Sequence, residues 1–152
     1  MSGKVLPFVN RRVNMKLLRI AQGEWEVLGV PDQRGVCPVI EFLESLTGDY
    51  QVAARQMLLL LYEQIPDNGP PKAEPACKSL GDGLYEFRKQ PKGKKLRVVW
   101  FYGGGPVIVC VAAFTKAERT PRSEIVRARD LQQKYREAKK NGRLDILDPG
   151  GT

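Results

Sequence analysis

The chain contains no histidine. This excludes Ser-His-Asp and Cys-His nucleophile arrangements and histidine-based metal sites. Acid–base chemistry would have to run on Lys, Arg, Tyr, Glu or Asp. Cysteine is scarce: Cys37, Cys77 and Cys110 are odd in number, widely spaced, and form no Cys-x-x-Cys pair. Neither a disulfide framework nor a zinc ribbon is expected. No apolar run approaches the ~18 residues of a membrane span. The longest, 57–61 and 106–114, suit core elements. The basic N-terminus leads into no continuous apolar stretch, so a secretory leader is not expected and a cytoplasmic location is. What is present is ordinary for a folded domain: 152 residues, 42% apolar and 28% charged. That length can bury a core without staples.

Charge is uneven. The net is +8, from 25 Lys and Arg against 17 Asp and Glu. Residues 1–23 carry five basic side chains and no acidic one. Residues 24–71 are net −6, 72–101 net +5, 102–143 net +6, and the tail from Leu144 adds −2. One half of the molecule is acidic and the other basic. A concentrated basic half is the electrostatic footprint of a phosphate-backbone binder.

Periodicity orders the chain as β-α-α-β-β-β-α. Residues 25–30 alternate as a strand. Pro38 opens a helix with Val39, Phe42, Leu43 and Leu46 on one face. A second helix spans about 50–65, with Ala53, Met57, Leu60, Leu61 and Ile65 as its stripe. It ends at the Pro66-Asp67-Asn68-Gly69-Pro70-Pro71 breaker cluster. A turn-rich stretch follows, to Gly83. Strands at 84–89, 96–102 and 107–114, joined by short loops, predict an antiparallel meander. Thr120-Pro121 then starts a last helix, Thr as cap and Pro at the first position. Its stripe is Ile125, Ala128, Leu131, Tyr135 and Ala138, and it stops at Asn141-Gly142. The expectation is an α+β domain over 24–142: a small, mostly antiparallel sheet with helices packed mainly on one face. Residues 1–23 are expected to be a basic arm, helical or flexible, and 143–152 a loose tail.

Several features carry no chemistry. Gly103-Gly104-Gly105 precedes a proline and a strand rather than a helix, so it reads as a hairpin turn, not a phosphate cradle. Cys110 reads as a small hydrophobe in a buried strand. Glu41 and Glu44 read as the solvated face of a helix.

Three stretches remain: Leu80-Gly81-Asp82-Gly83-Leu84-Tyr85-Glu86-Phe87-Arg88, Leu96-Arg97-Val98-Val99-Trp100-Phe101, and Ala113-Phe114-Thr115-Lys116-Ala117-Glu118-Arg119-Thr120-Pro121. Glu86 and Arg88 are two apart on one strand and share a face. Arg97 on the neighbouring strand can reach that face, and Lys116 leaves the third strand beside it. The expectation is a charged cluster on an open sheet surface, away from the helices. Tyr85 falls on the opposite face. Cross-strand charge pairing alone would produce the same cluster, each pair contributing ~0.2–1 kcal/mol.

Over roughly residues 25–140 this order resembles the RelE/HigB superfamily of toxins from type II toxin–antitoxin systems, in particular its phage-derived RelE-like subgroup. The matching positions are Lys78, Leu80, Asp82-Gly83-Leu84, Glu86, Arg88, Arg97, Val98, Phe114, Lys116, Thr120 and Pro121. The resemblance implies a RelE-like fold and a metal-independent, translation-dependent mRNA endoribonuclease with no cofactor. It implies mRNA, the ribosome and a cognate helix-turn-helix antitoxin encoded nearby as partners, and no membrane. In such cleavage the 2′-OH attacks the adjacent phosphate, and cations stabilise the charge that builds on its oxygens. Arg88 and Arg97 are the candidate clamps, Lys116 an acid/base or clamp, and Glu86 a candidate base. Lys89, Lys92, Lys94, Lys95, Arg119 and Arg122 are candidate RNA-binding cations.

The chain also departs from the pattern. Lys116-Ala117 stands where the family often has Lys-Lys. Relatives that use histidine or a C-terminal tyrosine find no counterpart, and Tyr135 falls on an apolar stripe. The alternative is therefore a RelE-like module that binds nucleic acid or protein without cleaving. A phage structural or assembly protein is a third reading.

Overall fold

In the computed structural model, which describes residues 14–115 and 120–149, seven strands form a single sheet. The chain runs β1 (Met15–Gln22), β2 (Glu26–Gly29), α1 (Pro38–Ser45), α2 (Gln51–Glu63), β3 (Cys77–Gly81), β4 (Leu84–Lys89), β5 (Leu96–Tyr102), β6 (Val107–Thr115), α3 (Arg122–Lys140) and β7 (Leu144–Leu147). Across the sheet the order is β3-β4-β5-β6-β2-β1-β7. Four pairings are antiparallel, while β2–β6 and β1–β7 are parallel. This is the expected α+β class with a mostly antiparallel sheet.

The two faces of the sheet hold separate cores. On one face α1 and α2 pack Val39, Leu43, Met57 and Leu61 against Val27, Phe87, Trp100 and Cys110. Trp100 is fully buried, with Tyr85 and Phe87 stacked on it at 4.9 and 4.8 Å. The other face carries α3, which sets Ala128 and Tyr135 against Leu84, Val99, Phe101 and Val109. Two of the three helices thus share a face, and the third crosses to the opposite one. The physical reason lies in the strands. Residues of β5 and β6 are buried on both sides, from Leu96 to Phe101 and from Ile108 to Ala112. A second apolar face needs a second cover.

The end of α3 is pinned to the β5–β6 turn. Tyr135 donates its hydroxyl to the Gly103 carbonyl at 2.7 Å, and the Lys139 ammonium donates to the same oxygen at 2.8 Å. Tyr135 is therefore a core residue, as its stripe position implied. Gly29 is required by close approach, since a Cβ there would lie 2.5 Å from Cys37 Sγ.

Three expectations need correction. Residues 15–22 of the expected arm are strand β1, inside the sheet between β2 and β7. Residues 144–147 of the expected loose tail are β7, in parallel register with β1 from Met15↔Leu144 to Leu18↔Leu147. The turn-rich stretch before Gly83 contains β3, joined to β4 by a tight Asp82-Gly83 turn. Both turn residues have positive φ, 52° and 81°, which is what a type I′ hairpin demands.

Candidate functional site

Alternation along β4 sends Tyr85 and Phe87 toward α1 and α2, and Leu84, Glu86 and Arg88 toward the α3 side. On β5, Arg97 lies directly opposite Arg88 in register, and Phe114 of β6 lies opposite Arg97. Two like charges facing each other across a strand pair repel. Glu86 resolves the conflict. Its Oε1 accepts from Arg88 Nε at 2.9 Å and lies 3.6 Å from Arg97 Nε. Its Oε2 accepts a short hydrogen bond from the Thr120 hydroxyl. Arg88 Nη1 also reaches Glu74 Oε1 at 3.4 Å, an exposed and weaker contact.

Glu86, Arg88 and Arg97 therefore converge, but not as an open surface. Glu86 is fully buried, Arg97 is 5% exposed and Thr120 7%. The expectation of a cluster away from the helices is overturned, because α3 covers this face and Thr120 closes over the carboxylate. Glu86, named as a candidate base, is held on both oxygens and out of solvent. Thr120, expected as a helix cap, makes no capping bond: Pro121 occupies that position, and the Thr120 side chain turns to Glu86 instead. Only Arg88 opens outward, its side chain 20% exposed. Glu86 thus holds two guanidiniums on one buried carboxylate, and the cluster meets solvent at Arg88, where Glu74 is a second, exposed partner.

The remaining cations divide. Lys89 is half-buried at the end of β4, and Lys95 is half-buried just before β5. Lys92 is exposed on the connecting loop with φ 54°. Lys94 reaches toward α2 instead: its ammonium is 3.5 Å from Asp49 Oδ2 and 6.0 Å from the centre of the Tyr50 ring. Arg122 is exposed at the first turn of α3, beside a shallow hollow it shares with Ser123, Val126, Arg127 and Asp130. Lys116 and Arg119 lie outside the described residues. Tyr85 packs against Trp100, on the far side of the sheet from Glu86.

Sequence reasoning missed Thr120 as a partner of Glu86. A signal existed: a threonine just before a helix-opening proline has a side chain free for a long-range bond when the proline itself holds the cap position. Among the described residues, no three His, Cys, Asp or Glu side chains converge as a metal site. No described helix is long and apolar enough to cross a membrane.

The family profile described as phage-derived protein Gp49-like matches residues 41–133, from α1 into α3 and across the whole Glu86–Arg88–Arg97 cluster. The match covers more than half of the chain, and the protein belongs to this phage-derived, toxin-like family. No curated protein matches it.

Proposed function

We propose that this chain is the toxin of a toxin–antitoxin pair and that it acts on RNA at the sheet end marked by Arg88. The observation that carries the reading is the anchoring of an outward-facing guanidinium: the buried Glu86 carboxylate holds Arg88 from behind at 2.9 Å. That carboxylate orients both guanidiniums, and of the two it is Arg88 that reaches solvent as a fork-shaped group, 20% exposed, its other partner Glu74 being exposed and weakly held. Such a group suits the non-bridging oxygens of a phosphodiester. Lys89, Lys92, Lys95 and Arg122 extend the positive potential along the same end, and family membership supports the toxin assignment at a coarse level.

In this reading Arg88 is the phosphate and transition-state clamp. Glu86, Arg97 and Thr120 are positioning residues that hold its plane. Lys116, which follows the end of β6 in sequence, and Arg119 contribute further cations, with Lys116 as proton carrier. The neutral Lys116 amine takes the 2′-OH proton as the 2′ oxygen bonds the adjacent phosphorus, the P–O5′ bond breaks to leave a 2′,3′-cyclic phosphate, and the 5′ oxygen leaves with the proton that Lys116 returns. The RelE/HigB resemblance extends the proposal to mRNA cleaved on the ribosome, in the cytoplasm, with a helix-turn-helix antitoxin that silences it. A second reading, binding without cleavage, is favoured by one observation: the carboxylate nearest the clamp is buried and held on both oxygens.

The test is induction of the intact chain in growing bacteria, with mapping of mRNA 5′ ends. Growth arrest with new 5′ ends is expected. Arg88→Ala should cut the cleavage signal by about a hundredfold, the loss typical of one transition-state charge contact, and should also lower the melting temperature, because the buried Glu86 loses a partner. Arg88→Lys, which keeps a charge there without the fork, should lose cleavage with a smaller change in melting temperature. RNA affinity should fall steeply with added salt through counterion release. Salt-sensitive RNA binding with intact transcripts would select the non-cleaving module. Salt-independent binding would remove RNA from both readings.

A further inference from the structure

The acidic half of the molecule carries a different surface. A cleft of about 810 Å³ opens between β1, α1, the end of α2 and the end of β7. Its walls include Ile20, Val36, Ile40, Tyr62 and Leu147. Val36, Tyr62 and Leu147 are three of the six large apolar residues that the described protein leaves exposed, at 36%, 42% and 39%. Two more of the six, Val52 and Leu59, lie on α2, spaced for the same helix side as Tyr62. Apolar groups gathered in this way mark a contact surface rather than scatter.

Two further features say what would fill the cleft. The first is the sheet edge. β7 is the terminal strand, so among the described residues nothing pairs with its outer side. An unpaired edge offers a row of N–H and C=O groups to an extended segment. The second is charge. The cleft is lined by the carboxylates Glu41, Glu44 and Asp148 and by no Lys or Arg. Glu41 and Asp148 already bond Arg34 and Arg19, at 2.6 and 2.5 Å. Glu44 stands beside Tyr62, whose hydroxyl is held above its ordinary pKa by burial and then by that carboxylate.

We infer that the outer edge of β7, together with this cleft, is a docking site for an extended segment of a protein partner whose alternating residues are apolar and basic. The segment adds as an eighth strand. One row of its side chains enters the cleft against Tyr62 and Leu147, and flanking Lys or Arg meet Glu44 first, with Glu41 and Asp148 shared with Arg34 and Arg19. A cleft of this volume also falls in the range of small-molecule sites, but the strand edge at its rim, unpaired among the described residues, suits a peptide backbone. The surface lies across the sheet from Arg88 and does not rest on the RNA reading.

The test uses the full chain and a capped nine-residue peptide of alternating Lys and Leu, followed by NMR. Saturable binding is expected, with shifts centred on Tyr62 and Leu147. The overall charge of +8 opposes a cationic ligand, so binding would report the local surface. Tyr62→Ser and the double change Glu41→Lys, Glu44→Lys, both at exposed positions, should each weaken affinity by about tenfold, with the Glu-Leu peptide weaker by a similar factor. Methylating alternate peptide nitrogens should weaken it again by removing strand donors. Equal affinity for the acidic peptide, shifts centred on the β3 edge, or no saturable binding would overturn the proposal. So would cross-linking that shows residues 1–13 or a second copy occupying the cleft.

Discussion

The two faces of the sheet are built from alternate residues of the same strands, yet they solve burial differently. Toward α1 and α2, β4 and β5 present Tyr85, Phe87, Leu96, Val98 and Trp100, an aromatic and aliphatic layer with Cys77 and Cys110 beside it. Toward α3 they present Leu84, Val99 and Phe101, and then, at one end, Glu86, Arg88 and Arg97. An apolar layer gains stability from each contact. A buried ion cluster gains little, because desolvation offsets much of the attraction, and it collapses when one partner is lost. The contrast teaches where the chain gives up packing for something else. Nothing in the α3 packing requires three charged side chains there, since the neighbouring positions that face the other way on the same strands, Phe87, Leu96 and Val98, are apolar and fully buried. In the proposed reading their presence serves a phosphate-binding group, a guanidinium held in one plane from behind.

The largest test of this contrast is Glu86→Leu. It removes the buried carboxylate that both guanidiniums share, and should lower unfolding free energy by about 3–5 kcal/mol in urea titration. Adding Arg97→Met should recover part of that loss, because apolar replacement of the two most buried charged members leaves only the partly exposed Arg88 without its inner carboxylate. A double variant as weak as the single one would mean that the cluster is no more than ordinary packing. Thr120→Val comes next. It removes the hydroxyl donor to a buried carboxylate at nearly constant volume, and should cost about 1–3 kcal/mol, with a larger fractional loss of RNA affinity than of stability. Unchanged affinity would detach Thr120 from the clamp.

The smallest effect belongs to the apolar face. Burial there pushes the Cys77 thiol up to about 11 from an ordinary value of 9.0. A thiol raised on folding holds its proton more tightly folded than unfolded. Its contribution is therefore complete below pH 9.0 and falls as pH rises through about 11. The urea midpoint should drop across that window, and Cys77→Ala should flatten the drop. A profile identical in the variant would show that the thiol stays out of the alkaline loss.

What the sequence disclosed follows these same lines. The helix stripes of α1, α2 and α3 and the β4–β6 meander were legible, because each keeps one period over many residues. β1 was not. Leu17 belongs to one core and Leu18 to the other, so a strand covered on both faces loses its alternation, and the four-residue spacing of Val13, Leu17 and Ala21 imitates a helix. β7 is four residues long and exists through pairing with residues about as far away as the chain allows. β3, by contrast, had a local signal in Asp82-Gly83, the strongest short hairpin pattern. Its exposed Lys78 and Ser79 hid the strand itself. For the site, the shared face of Glu86, Arg88 and Arg97 came from strand geometry alone. Its burial did not, because the side on which α3 lands depends on which face the earlier helices have already covered.

The parallel pairing of β1 with β7 gives the molecule a mechanical polarity. Tension drawn between the two chain ends enters β1 at Met15 and β7 at Leu147, at opposite extremes of one four-pair ladder. It pulls the strands past each other in shear, loading every rung together, where an antiparallel terminal pair would unzip rung by rung. A molecular machine that seizes either end meets the sheet along its most resistant direction.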